Sequence, residues 1–285
     1  MAPVDERPSP RQTPYGASPA RHARLTVPAL QAMAADGTRI AMLTCYDASF
    51  AKLCDDAGVD VLLVGDSLGM VIQGHTSTLP VTLADTLYHT RCVVAGSTRA
   101  LVIADLPFGT YQASVEAAYV TASAAIQAGA QMVKLEGGAW LADTVAFLTE
   151  RAIPVCGHIG LQPQWVNVIG GYRVQGKSDD AAEVLIGDAR DLVDAGAAML
   201  IVECVPRALG ARIQREVGVP VVGIGAGPEC AGQVLVIYDA LGISPGKPAR
   251  FVRNFLSGTA SVKDALAAFV AAVRDGSFPG PEHCF

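Results

Sequence analysis

A chain of 285 residues is long enough for one large α/β domain or two small ones. Hydrophobic residues make up 51% and charged ones only 17%, against roughly 25% charged in an average soluble domain, so burial of part of the surface in a homo-oligomer is expected. The net charge of -6 without a Lys/Arg cluster argues against a nucleic-acid partner, and no apolar run approaches the roughly 18 residues of a membrane helix.

Residues 1–24 carry five prolines and scattered arginines but no apolar signal core, and they read as a disordered tail. Asp5, Glu6 and the prolines argue against an amphipathic transit helix. Residues 25–37 read as a helix. From Ile40 short apolar runs alternate with longer helical stretches. The strand candidates are 40–47, 59–67, 100–107, 131–136, 154–160, 199–206, 220–227 and 232–241. The last is open to a second reading, as a helix after the glycine-rich loop. "DAGVDV", "QAGAQM" and "DAGAAM" recur as one helix-stop-strand joint. Residues 255–275 read as a final helix.

Near-continuous apolar strands are buried on both faces, which means parallel strands covered by helices. Eight units in about 200 residues suit a (β/α)8 barrel, with 25–37 closing its bottom; a doubly wound open sheet is the competing architecture. The seven cysteines form no C-x-x-C pair and lie mostly in or beside apolar segments. They are expected to be reduced thiols of a cytoplasmic protein rather than a disulfide framework or zinc site.

Polar residues cluster at the predicted strand ends. Asp66 ends the second strand, Asp105 the third, Glu136 the fourth, His158 the fifth and Glu203 the sixth. In a barrel those ends converge on one face, where catalytic groups of this fold sit. Lys134 and Glu136 are two apart, so both point to one side, and the lumen is the economical destination. Singly, each has an ordinary role as a loop cap, a solvated residue or a core histidine. Five consecutive strands carrying them by accident is a much poorer account. A hard divalent cation such as Mg²⁺ prefers carboxylate oxygens, and the cysteines and single histidine offer no tetrahedral zinc set. An α-keto acid chelates such an ion, which then stabilises the enolate formed on loss of the adjacent proton. One carboxylate is left as base and Lys134 balances the substrate's charge.

"GDSLG" (65–69) also matches the G-x-S-x-G nucleophile elbow. An elbow serine needs a strand-to-helix turn, a histidine and an orienting acid. The segment after Ser67 reads as apolar chain without an immediate helix, so Asp66 rather than a nucleophilic Ser67 is the expected functional residue. "GIGAG" (223–227) lacks the final glycine of a dinucleotide fingerprint, Pro228 standing there, and reads as a tight turn.

Several long motifs occur in order: "MLTCYDASFAKL", "VGDSLGMVIQGHTSTLPVTL", "ADLPFGTYQ", "VKLEGG", "GHIGLQPQ", "GGYRVQGK", "IVECVP", "GIGAGPECAGQVLV" and "GSFPGPEHCF". On these the chain resembles the ketopantoate hydroxymethyltransferase family from about residue 25 to its end. The resemblance implies a (β/α)8 barrel, a homo-oligomer (usually a decamer in bacteria) and Mg²⁺. It implies transfer of a hydroxymethyl group from 5,10-methylenetetrahydrofolate to 3-methyl-2-oxobutanoate. Carried over by motif, Asp66 and Asp105 bind the metal, and Glu136 contributes directly or through water. Ser67, Asp105 and Lys134 hold the keto acid, His158 lies beside it, and Glu203 is the proton acceptor. Thr76, Gln162 and Tyr238 depart from the family pattern, none at a metal or base position. A Mg²⁺-dependent carbon–carbon lyase or phosphoenolpyruvate mutase is the alternative enzyme, though the "KKCGH"-type motif of several members is absent. A non-catalytic barrel subunit predicts erosion of the acids, and all are present.

Overall fold

The computed structural model describes residues 24–285. Eight parallel strands close into a barrel in chain order. They are β1 (Ile40–Thr44), β2 (Val61–Val64), β3 (Leu101–Asp105), β4 (Met132–Glu136), β5 (Val155–Gly160), β6 (Met199–Glu203), β7 (Val221–Ile224) and β8 (Gly232–Leu235). The open sheet is thereby excluded: β1 pairs with β8, Ile40 opposite Gly232. Every strand residue but Glu203 is buried, as strands covered by helices on one side and packed across a lumen on the other must be.

The expected joints are present. Helices ending at Ala57, Gln127 and Asp194 lead into β2, β4 and β6, and each turn passes through a glycine at positive φ (Gly58 +88°, Gly129 +106°, Gly196 +104°). Only glycine takes that conformation without cost, which is why the same short string recurs. The side-chain alternation of the strands sorts the core into layers. Ile103, Met132, Cys156, Met199 and Ile201 pack in the lumen, with Leu30 of the Val27–Ala35 helix closing the bottom. Their neighbours Ala104, Val133, Leu135, Val155 and Leu200 face the helices instead.

Three expectations shift. The tail expected over 1–24 lies outside the described residues except for Arg24, which is held in place by an Arg24 Nη1 hydrogen bond of 2.8 Å to the Ala100 carbonyl. The eighth element is divided: β8 stops at Leu235 and a short helix, Ile237–Ala240, follows, so the strand and helix readings each describe half of it. Residues 225–231 alone join β7 to β8, with no helix between them, as the short gap between the strand candidates 220–227 and 232–241 implied. The final helix begins at Val262, not 255, because Ser261 caps it by accepting from the Asp264 amide at 3.2 Å. Its Phe269 is fully buried against Phe255 and Phe278, anchoring the helix by about 1.5–3 kcal/mol for that ring. No helix among the described residues is long and apolar enough to cross a membrane, and all seven cysteines are free thiols.

Candidate active site

The inward columns of the strands end in polar residues at the C-terminal mouth of the barrel. Asp105, Glu136 and Glu203 are the last residues of β3, β4 and β6; Lys134 and His158 lie one inward step deeper. Register pairs Asp105 with Lys134, Glu136 with His158 and Gly160 with Glu203 across adjacent strands. Asp66 stands apart, on the loop two residues beyond β2.

These residues form one network. Lys134 Nζ donates to both Asp105 oxygens at 2.8 Å and to Glu136 Oε1 at 3.0 Å. The Asp66 amide donates to Asp105 Oδ2 at 3.2 Å. Oxygens of Asp66, Asp105 and Glu136 all lie within 4.8 Å of one another. His158 bridges outward, Nδ1 3.3 Å from Glu136 Oε1 and Nε2 3.3 Å from Glu203 Oε2. Neither ring nitrogen is aligned for a hydrogen bond, so these contacts act through charge.

Burial makes these charges expensive. Burial, then the neighbouring Asp105 and Glu136 carboxylates, pushes the Asp66 carboxyl well above the usual carboxylate range. Burial raises Asp105 too, although the Lys134 ammonium opposes the shift. Glu136 goes the other way: against the same burial, Lys134 and His158 hold its carboxyl low. Burial and the Lys134 charge oppose protonation of His158, but the Glu136 and Glu203 carboxylates outweigh them and raise it to about 9, so the ring is cationic at neutral pH. Four acids, Asp66, Asp105, Glu136 and Glu203, thus share two cations, Lys134 and His158, and carboxylate repulsion adds to burial in raising Asp66 and Asp105. Repulsion of this kind is what a bound cation removes.

Ser67 precedes a single helical turn, Leu68–Val71, a turn the sequence did not lead us to expect. The hydroxyl meets Tyr46 OH at 2.9 Å rather than a histidine, so the elbow requirement still fails. Tyr46 is buried against Tyr238, with ring centroids 6.0 Å apart. Cys204, directly after Glu203, has φ +48°, a rare conformation for a residue with a Cβ and one that concentrates at functional sites. On the other side Gly160 (φ +88°) leaves no room for a side chain, since a Cβ there would sit 2.3 Å from the Glu203 carbonyl oxygen.

The cavity over this network holds about 710 Å³; buried Asp66, Lys134 and His158 line it, as do the exposed Tyr172 and Arg250 and the half-buried Phe251. Sequence reasoning singled out no role for Gln164, Tyr111 or Tyr46, although all three are buried and bonded to the site. Their signal was faint: uncharged polar groups inside "GLQPQ", "FGTYQ" and "TCYD".

The fold and this mouth define the class, a (β/α)8-barrel enzyme with an acidic centre on its C-terminal face. The model of the ketopantoate hydroxymethyltransferase family matches residues 24–281, and the chain belongs to that family. It is 60% identical over 261 residues to the 3-methyl-2-oxobutanoate hydroxymethyltransferase of Thiobacillus denitrificans, covering 92% of this chain and 99% of that one. The Janthinobacterium enzyme of the same name is 58% identical over 266 residues, 93% of this chain and 97% of its own. Among solved structures, phosphonopyruvate hydrolase with oxalate and Mg²⁺ superposes with a TM-score of 0.59 at 15% identity, over 86% of this chain and 95% of that one. A 2,3-dimethylmalate lyase of the phosphoenolpyruvate mutase/isocitrate lyase superfamily gives 0.54 at 15%, over 90% and 100%. At such identities these two share the fold alone.

Proposed function

We propose that this chain is a 3-methyl-2-oxobutanoate hydroxymethyltransferase that takes its one-carbon unit from 5,10-methylenetetrahydrofolate and serves pantothenate biosynthesis in the cytoplasm. The observation that carries the reading is the convergence of Asp66, Asp105 and Glu136 within 4.8 Å, beside Lys134 and joined through His158 to Glu203.

The donor set suits Mg²⁺: hard oxygens, buried, with negative charge in excess. Among the described residues nothing donates to Asp66 Oδ1, which is free to ligate, and Asp105 ligates beside it. Glu136, whose oxygens accept from Lys134 and from the Gln164 amide, contributes directly or through water; both Asp105 oxygens likewise accept from Lys134 and keep a second lone pair for the ion. When bound, Mg²⁺ supplies a Lewis acid that polarises the keto acid's carboxylate and ketone oxygens. Lys134 offsets substrate charge, and the Ser67 hydroxyl, steadied by Tyr46, donates to the substrate carboxylate. Glu203 removes the C3 proton, His158 holding its carboxylate in position. The enolate carbon then attacks the one-carbon unit; overall one water supplies the hydroxyl oxygen and tetrahydrofolate leaves. A cavity of about 710 Å³ exceeds the needs of a five-carbon acid and leaves space for the folate. The low charged fraction supports a homo-oligomer, a decamer by family resemblance, which a light-scattering mass would test.

The decisive test follows the C3 proton by NMR in D₂O with Mg²⁺ and no folate. The unaltered protein should exchange it, and Glu203→Gln should bind the acid but exchange it at least about 10²-fold more slowly. Rapid exchange by that variant sinks the base assignment. Failure of the unaltered protein to form 2-dehydropantoate when the folate is added sinks the function, as does turnover of the acid that needs no folate, the outcome a lyase or mutase predicts.

A further inference from the structure

Asp105 and Glu136 are held by their strands, but Asp66 lies beyond the end of β2, and its side chain needs an outside support. Gln164 provides one. It sits in the turn Pro163–Trp165 after β5 and is 3% exposed. Its Nε2 donates to Asp66 Oδ2 at 3.0 Å and to the Leu106 carbonyl at 3.0 Å. Its Oε1 accepts from Tyr111 OH at 2.8 Å and from Gln112 Nε2 at 3.2 Å. Its backbone N–H donates to Glu136 Oε2 at 3.0 Å.

Every donor and acceptor of the amide is therefore used. A flipped amide would set Oε1 against the Asp66 carboxylate and the Leu106 carbonyl, acceptor against acceptor, so the network dictates its orientation. Tyr111 reinforces that choice: its hydroxyl accepts from the Glu136 amide at 3.1 Å, which turns its own proton toward Gln164 Oε1 or the Glu136 carbonyl. One residue thus ties together two acids that the strands do not connect.

We propose that Gln164 is a positioning residue: its side-chain amide aims Asp66 Oδ1 into the centre and so sets the divalent-cation affinity of the site. Because Asp66 is a metal ligand only under the function proposed above, this assignment rests on that reading. Outer partners of metal ligands are typically worth 10- to 100-fold in affinity.

Gln164→Met keeps length and leaves the backbone bond to Glu136 in place, and the Tyr111 proton can turn to the Glu136 carbonyl 3.0 Å away. The full-length protein, freed of divalent cations, is titrated with Mn²⁺ by electron paramagnetic resonance. The dissociation constant of Gln164→Met should rise by about 10- to 100-fold, and its turnover should return at raised Mg²⁺. A purely structural role lowers the melting temperature but moves neither readout. Should the Met variant fail to fold, Gln164→Asn is read in the same titration, since it falls one methylene short of Asp66 and breaks a 3.0 Å bond. An affinity within about twofold of the unaltered protein overturns the role of Gln164 while the metal reading stands. Absence of Mn²⁺ binding by the unaltered protein overturns both.

Discussion

Lys134→Met isolates the electrostatic balance of the site. Lys134 is 3% exposed and its ammonium touches both Asp105 oxygens and Glu136 Oε1 within 3.0 Å. Methionine preserves the unbranched stem and removes the charge together with the three hydrogen bonds it donates. Two acids then lose their closest counterion, and an uncompensated buried charge costs about 3–5 kcal/mol. That is a large share of the roughly 5–15 kcal/mol by which a domain is stable. At about 2 °C per kcal/mol for a chain of this size, the melting temperature in EDTA should fall by about 6–10 °C. A divalent cation binding the same carboxylates supplies the missing charge. Saturating Mg²⁺, worth about 2.7 kcal/mol at one hundred times its dissociation constant, should recover much of that loss. The gain should be larger in the variant than in the unaltered protein, where Lys134 and the cation share the same acids. Scanning calorimetry with and without Mg²⁺ measures both effects. An unchanged melting temperature in EDTA, or equal Mg²⁺ gains in the two proteins, would refute the charge accounting.

Two further substitutions probe how the frame is held. Asp55, in the Ala48–Ala57 helix, clamps the crossing from the Leu83–Gly96 helix into β3, accepting from Ser97 Oγ at 2.9 Å and from the Arg99 and Ala100 amides at 2.8 and 3.1 Å. Burial raises its carboxyl, but those amides and that of Thr98 prevail and hold it below the usual range. Its contribution is therefore present above the unfolded value of about 3.9 and lost as pH falls through the lower folded value. Urea denaturation should show Asp55→Ala weaker by about 1–3 kcal/mol at pH 7, with the gap narrowing toward pH 3; a gap that widens on acidification reverses the sign and discards the explanation. Gly160→Ala places a methyl 2.3 Å from the Glu203 carbonyl oxygen at φ +88°. Strain of about 1–2 kcal/mol should lower the urea midpoint, and displacement of Glu203 should reduce kcat more than it raises KM. A variant with the original midpoint and kcat contradicts that placement.

The strand count, their parallel arrangement and the polar residues at their ends were legible because a barrel strand needs apolar side chains on both faces, so any charge at its end stands out against an apolar run. Lys134 and Glu136 could be assigned to the lumen from their spacing of two. The helix-stop joints were legible for a similar reason, since the turn required glycine at each repeat. Other features left no local trace. Gln164 and Asp66 lie 98 residues apart, and Tyr46 and Ser67 lie 21 apart. An uncharged amide or phenol looks ordinary in a sequence because hydrogen bonding depends on distance and angle, which only closure of the barrel brings about. The sequence by itself determined which charges enter the mouth. The tertiary structure decided which of them share a counterion, which is held by a neutral neighbour, and that the acids outnumber the cations they face.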